Sequence, residues 1–281
     1  RYADTRLVAG GGRSWRARLR PLLGGARWLA LALTVVALAR PQASEARQTV
    51  EGEGVDIALA LDISGSMASL DFEPQNRLEA SKQVIRDFIA ARPHDRIGLV
   101  IFAQAAFNQS PATADHAVLR RQLDQVKLAP ALGLEDGTAI GLGVANAANL
   151  LKESRAKSKV IILLTDGVNN AGEVDPLTAA EAAKALGIRV YTIGAGRPGQ
   201  VPVPVPGIFG QRMAYQESVI DEATLEKIAE ATGGAFFRAH DTAGLAQVYD
   251  DISRLEPSRY EIRVFERHRE LAGWLLGPAI A

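Results

Sequence analysis

Short, almost wholly apolar runs alternate with amphipathic segments between residues 50 and 257, and this alternation limits the possible folds. Clear examples of the apolar runs are Val55–Ile63, Arg96–Ala103 and Lys159–Thr165. Strands this apolar are typical of a parallel sheet that is buried on both faces. The segments between them repeat apolar residues at a helical period, as in 76–91. The predicted fold class is therefore α/β, a doubly wound, Rossmann-like, mostly parallel sheet with helices on both faces.

The rest of this region continues the alternation. Asp175 and Pro176 suit the N-cap and the first position of a helix, and the glycines 233–234 suit the end of another. The other predicted helices span 114–126, 138–153, 175–186, 221–231 and 242–255, and the other predicted strands span 189–193 and 235–239.

One segment, Gly194–Gln216, interrupts the pattern. Its Val201–Pro206 stretch alternates valine with proline. Proline has no backbone N–H, so this stretch is excluded from a central strand and favours extended polyproline geometry. We expect a solvated insertion. A functional loop is the alternative, because long connections in compact domains often carry function.

Composition excludes several classes of function. The chain has no cysteine, which excludes a disulfide scaffold, a thiolate zinc site, an iron–sulfur cluster and a cysteine nucleophile. It has four histidines, and no two of them have the spacing of metal ligands. The 32 basic residues balance the 32 acidic ones, so no basic field indicates a nucleic-acid partner.

Carboxylates and hydroxyls follow the predicted strands at the points where those strands end. Asp62, Ser64 and Ser66 lie at the carboxyl end of the first apolar run, and Asp166 follows Lys159–Thr165. Thr138 opens a predicted helix between them. Carboxyl ends of parallel strands meet at one edge of a sheet, where ligands bind. We therefore expect these five side chains to converge.

Hard oxygen ligands of this kind suit Mg²⁺, Mn²⁺ or Ca²⁺. Two carboxylates, partly acting through water, would neutralise the ion only in part and leave a coordination position for a carboxylate of a partner protein. Gly65 is expected to let the loop fold tightly enough to aim both serines at one point. Each residue alone also suits an ordinary turn or N-cap. We interpret Asp71, Glu73 and Glu135 as solvated loop acids.

The flanks suggest a membrane. Residues 1–21 are a basic juxtamembrane segment, 22–40 a predicted transmembrane helix with Arg27 inside it, and 41–50 a linker. After the 51–257 domain come a charged linker, 258–270, and an apolar 271–281 that we interpret as the start of a second, truncated transmembrane helix. A buried helix of a soluble domain or a signal peptide is the alternative for 22–40. The N-terminal arginines favour an outward-facing domain.

The constellation resembles the metal-ion-dependent adhesion site (MIDAS) of von Willebrand factor type A (VWA) domains. That site comprises Asp-x-Ser-x-Ser, a distant Thr and the Asp of a Thr-Asp-Gly turn. Asp62, Ser64, Ser66, Thr138 and Asp166 match it in full, and the similarity covers about residues 50–255. The resemblance implies a metal bound by these residues, completed by an acidic side chain of a partner. It implies a binding module rather than an enzyme.

A narrower similarity is to bacterial aerotolerance (Bat) membrane proteins of BatA type. It rests on Ala39–Gln42, on Leu134–Gly141 and on the Val-Pro repeat. It implies an inner-membrane protein with a periplasmic domain. The implied partners are other Bat or VWA proteins and a MoxR-type AAA+ ATPase, in complexes for assembly or stress tolerance. An ATPase-coupled, chelatase-like subunit is the alternative, and a metal-dependent hydrolase is the rival from another class.

Overall fold

The computed structural model describes residues 15–39, 42–207 and 210–270. The chain divides into two compact units, of which Gly52–Glu261 is one and the flanking segments on both sides form the other. In the flanking unit, helix α1 (Trp15–Leu38) is followed by strand β1 (Gln42–Glu53), which pairs with β10 (Arg259–Glu270). The segments predicted as linkers therefore lie largely in strands.

The predicted transmembrane segment 22–40 lies mostly in α1. Among the described residues, no helix has both the length and the apolar character needed to cross a membrane. The membrane-spanning interpretation of α1 is not confirmed. The predicted second span, 271–281, lies outside the described residues, as do the first fourteen residues of the basic segment.

The larger unit alternates strands and helices as the sequence predicts, with the predicted boundaries accurate to two residues. Its strands are β2 (Val55–Asp62), β3 (Arg96–Phe102), β4 (Ala106–Thr113), β5 (Ser158–Thr165), β6 (Ile188–Ala195), β7 (Gly199–Gly207), β8 (Gly210–Ser218) and β9 (Phe236–Ala239). Its helices are α2 (Arg77–Ala91), α3 (His116–Asp124), α4 (Ile140–Leu151), α5 (Pro176–Ala185), α6 (Glu222–Thr232) and α7 (Thr242–Leu255).

The main sheet has the order β4-β3-β2-β5-β6-β9 and is parallel except for β4. Sequence reasoning missed β4, whose half-exposed residues lack the apolar run that marked the other strands. From the central β2 the chain proceeds to β3 and β4 on one side, then crosses to β5 on the other. The carboxyl ends of β2 and β5 therefore flank the point where the strand order reverses, which is where open α/β sheets bind ligands.

Apolar side chains on the two faces of the sheet form two separate cores. On one face Leu59 and Leu61 of β2 pack with α2, α3 and α7. On the other face Ala58 and Ala60 pack with α4, α5 and α6. The successive residues of β2 thus alternate between two buried faces, which explains why the whole strand is apolar.

The proline-rich segment forms a β-hairpin, β7–β8, outside the main sheet, so the prediction of polyproline geometry was wrong. Pro202 and Pro204 occupy alternate positions of β7, on the side that points away from β8. Pairing with β8 therefore does not need the N–H groups that proline lacks. That side of β7 faces the loop after β2, and the carbonyl of Pro202 accepts from Leu70 N at 2.9 Å. Val201 and Val203 are buried against Ala68.

Candidate metal centre

Asp62 is the last residue of the central strand and is fully buried. Its Oδ1 accepts a hydrogen bond from the Ser64 backbone N–H at 2.8 Å, and its Oδ2 accepts one from the Thr165 hydroxyl at 2.6 Å. The two donors come from the loop after β2 and from the end of β5. The carboxylate is thus fixed between the two strands that flank the reversal of strand order.

The two serines connect this loop to the end of β5. The Ser64 and Ser66 hydroxyl oxygens lie 3.0 Å apart. Ser66 donates to Oδ1 of Asp166 at 2.6 Å. A short 3₁₀ turn, Gly65–Ala68, holds the two serines in this arrangement. No side-chain oxygen caps this turn. The serines therefore face the aspartates and do not act as turn caps.

Thr138 joins the same rim from the loop before α4. Its side chain is buried, and a Cβ placed on Gly167 would lie 3.3 Å from its Oγ1. The backbone N–H groups at and before the start of α4 use other acceptors: Asn170 Oδ1 accepts from Thr138 N, and Asn169 Oδ1 accepts from Ile140 N, both at 2.8 Å. The Thr138 hydroxyl is therefore not spent on capping.

The structure thus brings all five predicted site residues to one end of the sheet. Their placement agrees with the prediction, and their role as metal ligands stays a prediction. Sequence reasoning did not foresee that Asn169 accepts from the first N–H of α4 and that Asn170 accepts from Thr138 N just before it. The signal available was two asparagines shortly after the Thr-Asp-Gly turn.

The pKa values of both aspartates at the rim are raised, chiefly by burial. Burial and, next, the nearby charge of Asp166 raise the pKa of Asp62 to about 7, against its hydrogen bonds from Ser64 and Thr165. Burial also raises the pKa of Asp166, although the Arg77 charge opposes this. Two carboxylates that are this close and this buried favour either a proton or a bound cation.

Arg77, which sequence reasoning missed, lies behind Asp166 and is 1% exposed. Its guanidinium donates to Asp166 Oδ2 at 2.7 Å and to both carboxylate oxygens of Asp71, at 2.7 and 2.6 Å. The Arg77 charge and hydrogen bonds, with the Arg197 N–H, lower the pKa of Asp71 against its desolvation. The interpretation of Asp71 as a solvated loop acid was wrong. An arginine at the start of a helix, opposed to the helix dipole, was the signal for a buried acidic partner.

Asp136 is a second residue that sequence reasoning missed. Its Oδ1 accepts from Gly65 N at 2.7 Å and from Gly137 N at 3.0 Å. A Cβ on residue 65 would lie only 2.5 Å from Asp136 Oδ2. Glycine at position 65 thus leaves room for a carboxylate close to the backbone, and it does not serve a positive-φ turn.

The donor set fits a hard divalent cation. It consists of hydroxyl and carboxylate oxygens, which suit Mg²⁺, Mn²⁺ or Ca²⁺. Among the described residues no arginine or lysine forms an ion pair with Asp62. The same residues contain no group of three or more acidic or histidine side chains arranged to hold a metal. A cation at this rim would therefore depend on the hydroxyls and on water.

Comparison with known proteins agrees with this geometry. Residues 56–251 match the von Willebrand factor type A domain. An uncharacterized protein of Borreliella burgdorferi is 34% identical over 247 residues, covering 87% of this chain and 71% of that protein.

Solved structures give the same result. The conserved hypothetical protein BatB from Bacteroides thetaiotaomicron is 30% identical, with a TM-score of 0.62 and coverage of 72% of this chain and 98% of that one. An aerotolerance-related membrane protein from Bacteroides fragilis is 29% identical, with a TM-score of 0.61 and coverage of 70% and 98%.

A more distant structure shows the fold alone. It is proximal thread matrix protein 1 from the mussel byssus, described with a zinc-occupied MIDAS motif, at 22% identity, a TM-score of 0.55 and coverage of 76% of this chain and 48% of that one. Taken together, the matched residues, the sheet order and the converging hydroxyl and carboxylate oxygens place this chain in the von Willebrand factor type A domain family, as a Bat-like member.

Proposed function

We propose that this domain binds a divalent cation, Mg²⁺ or else Mn²⁺ or Ca²⁺, and uses it to bind a carboxylate of a protein partner. The ion would be held by Asp62, Ser64, Ser66, Thr138 and Asp166. The observation that carries the proposal is the buried Asp62, whose pKa is raised to about 7 and which forms no ion pair with a described residue. Bound there, the ion would supply positive charge and an open coordination position.

The chain's own residues would prepare that position. Thr165 and Ser64 N–H hold Asp62 in one orientation, and Ser66 does the same for Asp166. Because both carboxylates already accept hydrogen bonds, ordering them on ion binding would cost little entropy. The hydroxyls are neutral ligands, so a bound ion would keep part of its charge for an acidic partner.

Binding is favoured over catalysis by where the titratable groups lie. A hydrolase would need a general base within reach of the ion. His116 is excluded as that base, because it contacts the backbone carbonyl of Asp95 near the opposite end of the sheet. Asp62 and Asp166 are engaged by Thr165, Ser66 and Arg77. We therefore propose an interaction module and not an enzyme.

We further propose that the protein is anchored in the bacterial inner membrane, with the domain on the periplasmic side. The support is the description of the Bacteroides fragilis neighbour as a membrane protein and the arginine-rich N-terminal segment. The proposed partners, other Bat or VWA proteins and a MoxR-type AAA+ ATPase, follow from the BatA-type resemblance. A periplasmic domain would reach such an ATPase only through its membrane segments.

Titration calorimetry of the 281-residue chain with Mg²⁺ and with Mn²⁺ tests the metal site. Saturable binding is expected in the wild type, and loss of it in Asp166→Ala and Ser64→Ala. Ser154→Ala is the matched control, because its hydroxyl caps a loop turn before β5. Undetectable binding in the wild type at millimolar ion, or equal binding in all four proteins, would contradict the proposal.

A further inference from the structure

Arg77 is a buried cation placed directly against a proposed metal ligand. Its Nη1 lies 2.7 Å from Oδ2 of Asp166, while the other oxygen of that carboxylate accepts from Ser66. Its Nη2 also lies 2.9 Å from Oγ of Ser218, the last residue of β8. Both oxygens of Asp166 are thus occupied, one by the site and one by the guanidinium.

Arg77 is shared between two of the three buried carboxylates near the site. Asp62, Asp71 and Asp166 are buried carboxylates, and Arg77 pairs with the last two of them. Leaving Asp166 unpaired in this interior would be costly, because a buried charge without a partner is strongly destabilising. The guanidinium therefore neutralises part of the negative charge that a bound cation would also neutralise.

We propose that Arg77 is an internal counter-ion that stabilises the rim when no metal is bound and that competes with the divalent cation for Asp166. This inference rests on the proposed metal site and states what sets its affinity. A divalent ion and a guanidinium on one carboxylate repel each other, so each weakens the binding of the other. The residue thus allows the domain to fold without metal, at the cost of weaker metal binding.

The sign of the effect separates this role from a merely structural one. If Arg77 only held Asp166 in place, removing it would weaken metal binding. If it competes with the ion, removing its charge tightens metal binding, and the metal-free fold becomes less stable. The two roles therefore predict opposite changes in the affinity for Mg²⁺.

Competition between Arg77 and the cation would also change the contacts of the β7–β8 hairpin. Ser218 and Asp71 share the same guanidinium, and the Arg197 N–H donates to Asp71 at 3.0 Å just before β7 begins. When a cation weakens the contact between Arg77 and Asp166, the guanidinium shifts toward its remaining partners, Asp71 and Ser218. We expect amide hydrogen exchange in β8 to change with Mg²⁺ in the wild type.

Three variants of the full chain make the test. Arg77→Met removes the charge and keeps much of the length, Arg77→Lys keeps the charge, and Ser218→Ala removes only the link to the hairpin. Each is titrated with Mg²⁺ by calorimetry and melted with and without Mg²⁺. Arg77→Met is expected to bind Mg²⁺ at least about fivefold more tightly, with a larger metal-induced rise in Tm.

The controls fix the interpretation. Arg77→Lys should stay within about twofold of the wild-type affinity, because the competing charge remains, and Ser218→Ala should keep that affinity while losing the Mg²⁺-dependent exchange in β8. Weaker or unchanged binding in a folded Arg77→Met overturns the inference and leaves the proposed function standing. If Arg77→Met does not fold without metal, recovery of its fold by Mg²⁺ supports the inference, and no recovery overturns it. Absence of Mg²⁺ binding in every protein overturns both.

Discussion

Two ends of one sheet bury carboxylates in opposite ways. At the amino end Asp95 is 0% exposed, as Asp62 is at the carboxyl end. Asp95 pairs with Arg92 at 2.6 Å and accepts from Val55 N and from the Ser258 hydroxyl. Asp62 has hydroxyl and amide donors and no ion pair with a described residue. Equal burial therefore accompanies a balanced charge at one end and an excess of negative charge at the other.

Glu256 extends the contrast at the amino end. One of its oxygens accepts from Tyr191 at 2.7 Å, and the other from Arg189 and Ser158 at 2.6 and 3.0 Å. Together with Asp95 it fixes the points where the chain enters and leaves the larger unit. Asp95 and Glu256 are each paired with an arginine, whereas Asp62 has no ion pair with a described residue and remains available to a ligand.

The largest expected effect lies at the amino end. Asp95→Ala leaves Arg92 buried without its carboxylate and Val55 N–H without its acceptor. We expect a loss of about 3–5 kcal/mol in the free energy of unfolding, the usual cost of breaking a buried pair. Urea denaturation measures it, and the loss should be the same with and without Mg²⁺. A loss that Mg²⁺ reverses would show that the two ends are coupled and would break the comparison.

Asp62→Asn should have the opposite signature. It removes a charge that burial and Asp166 both disfavour, so the metal-free protein should be as stable as the wild type or more stable. Mg²⁺ affinity should fall by at least about a hundredfold, because the site loses a carboxylate. Parallel urea and calorimetric titrations measure both. If the variant loses stability and keeps its metal affinity, Asp62 has a structural role like that of Asp95 and is not a metal ligand.

The positions of the site residues followed from the sequence because they depend on backbone topology. Strand ends can be read from apolar runs, and a parallel sheet brings the ends of β2 and β5 together. Asp62, Ser66 and Asp166 therefore needed no side-chain detail to be placed. Their roles in binding a metal still await the calorimetric test.

The network of buried charges could not be predicted from the sequence, because ion pairs between side chains produce no periodic pattern along the chain. Arg77 pairs with Asp166, 89 positions away, and with Asp71, which sequence reasoning left in solvent. The β7–β8 hairpin was missed for another reason. Proline was weighed as a residue that breaks strands, while its alternation with valine leaves every second N–H free to pair.

The raised pKa of Asp62 predicts a pH dependence of the metal-free protein. Its folded pKa is about 7 against an ordinary value of 3.8, so between these values the folded state binds more protons than the unfolded state. This contribution to stability is present at low pH and is lost as pH rises toward 7. Thermal melts in chelator from pH 4.5 to 7.5 should show the decline, and Asp62→Asn should flatten it. An equally steep decline in Asp62→Asn would assign the proton to another group.

The smallest effect concerns Asp136, an exposed acid at the same rim. Asp136→Asn keeps an oxygen to accept from Gly65 N and removes only a charge that solvent screens. We expect Mg²⁺ affinity to fall about two- to threefold at low salt, and less at about 0.5 M salt, where exposed charges interact weakly. Asp87→Asn, an exposed acid on α2 that accepts from Gln83, is the matched control and should leave the affinity unchanged. A loss as large as that of Asp62→Asn would mean that Asp136 binds the ion directly. Solvent exposure would then not distinguish the metal ligands from the other acids at this rim.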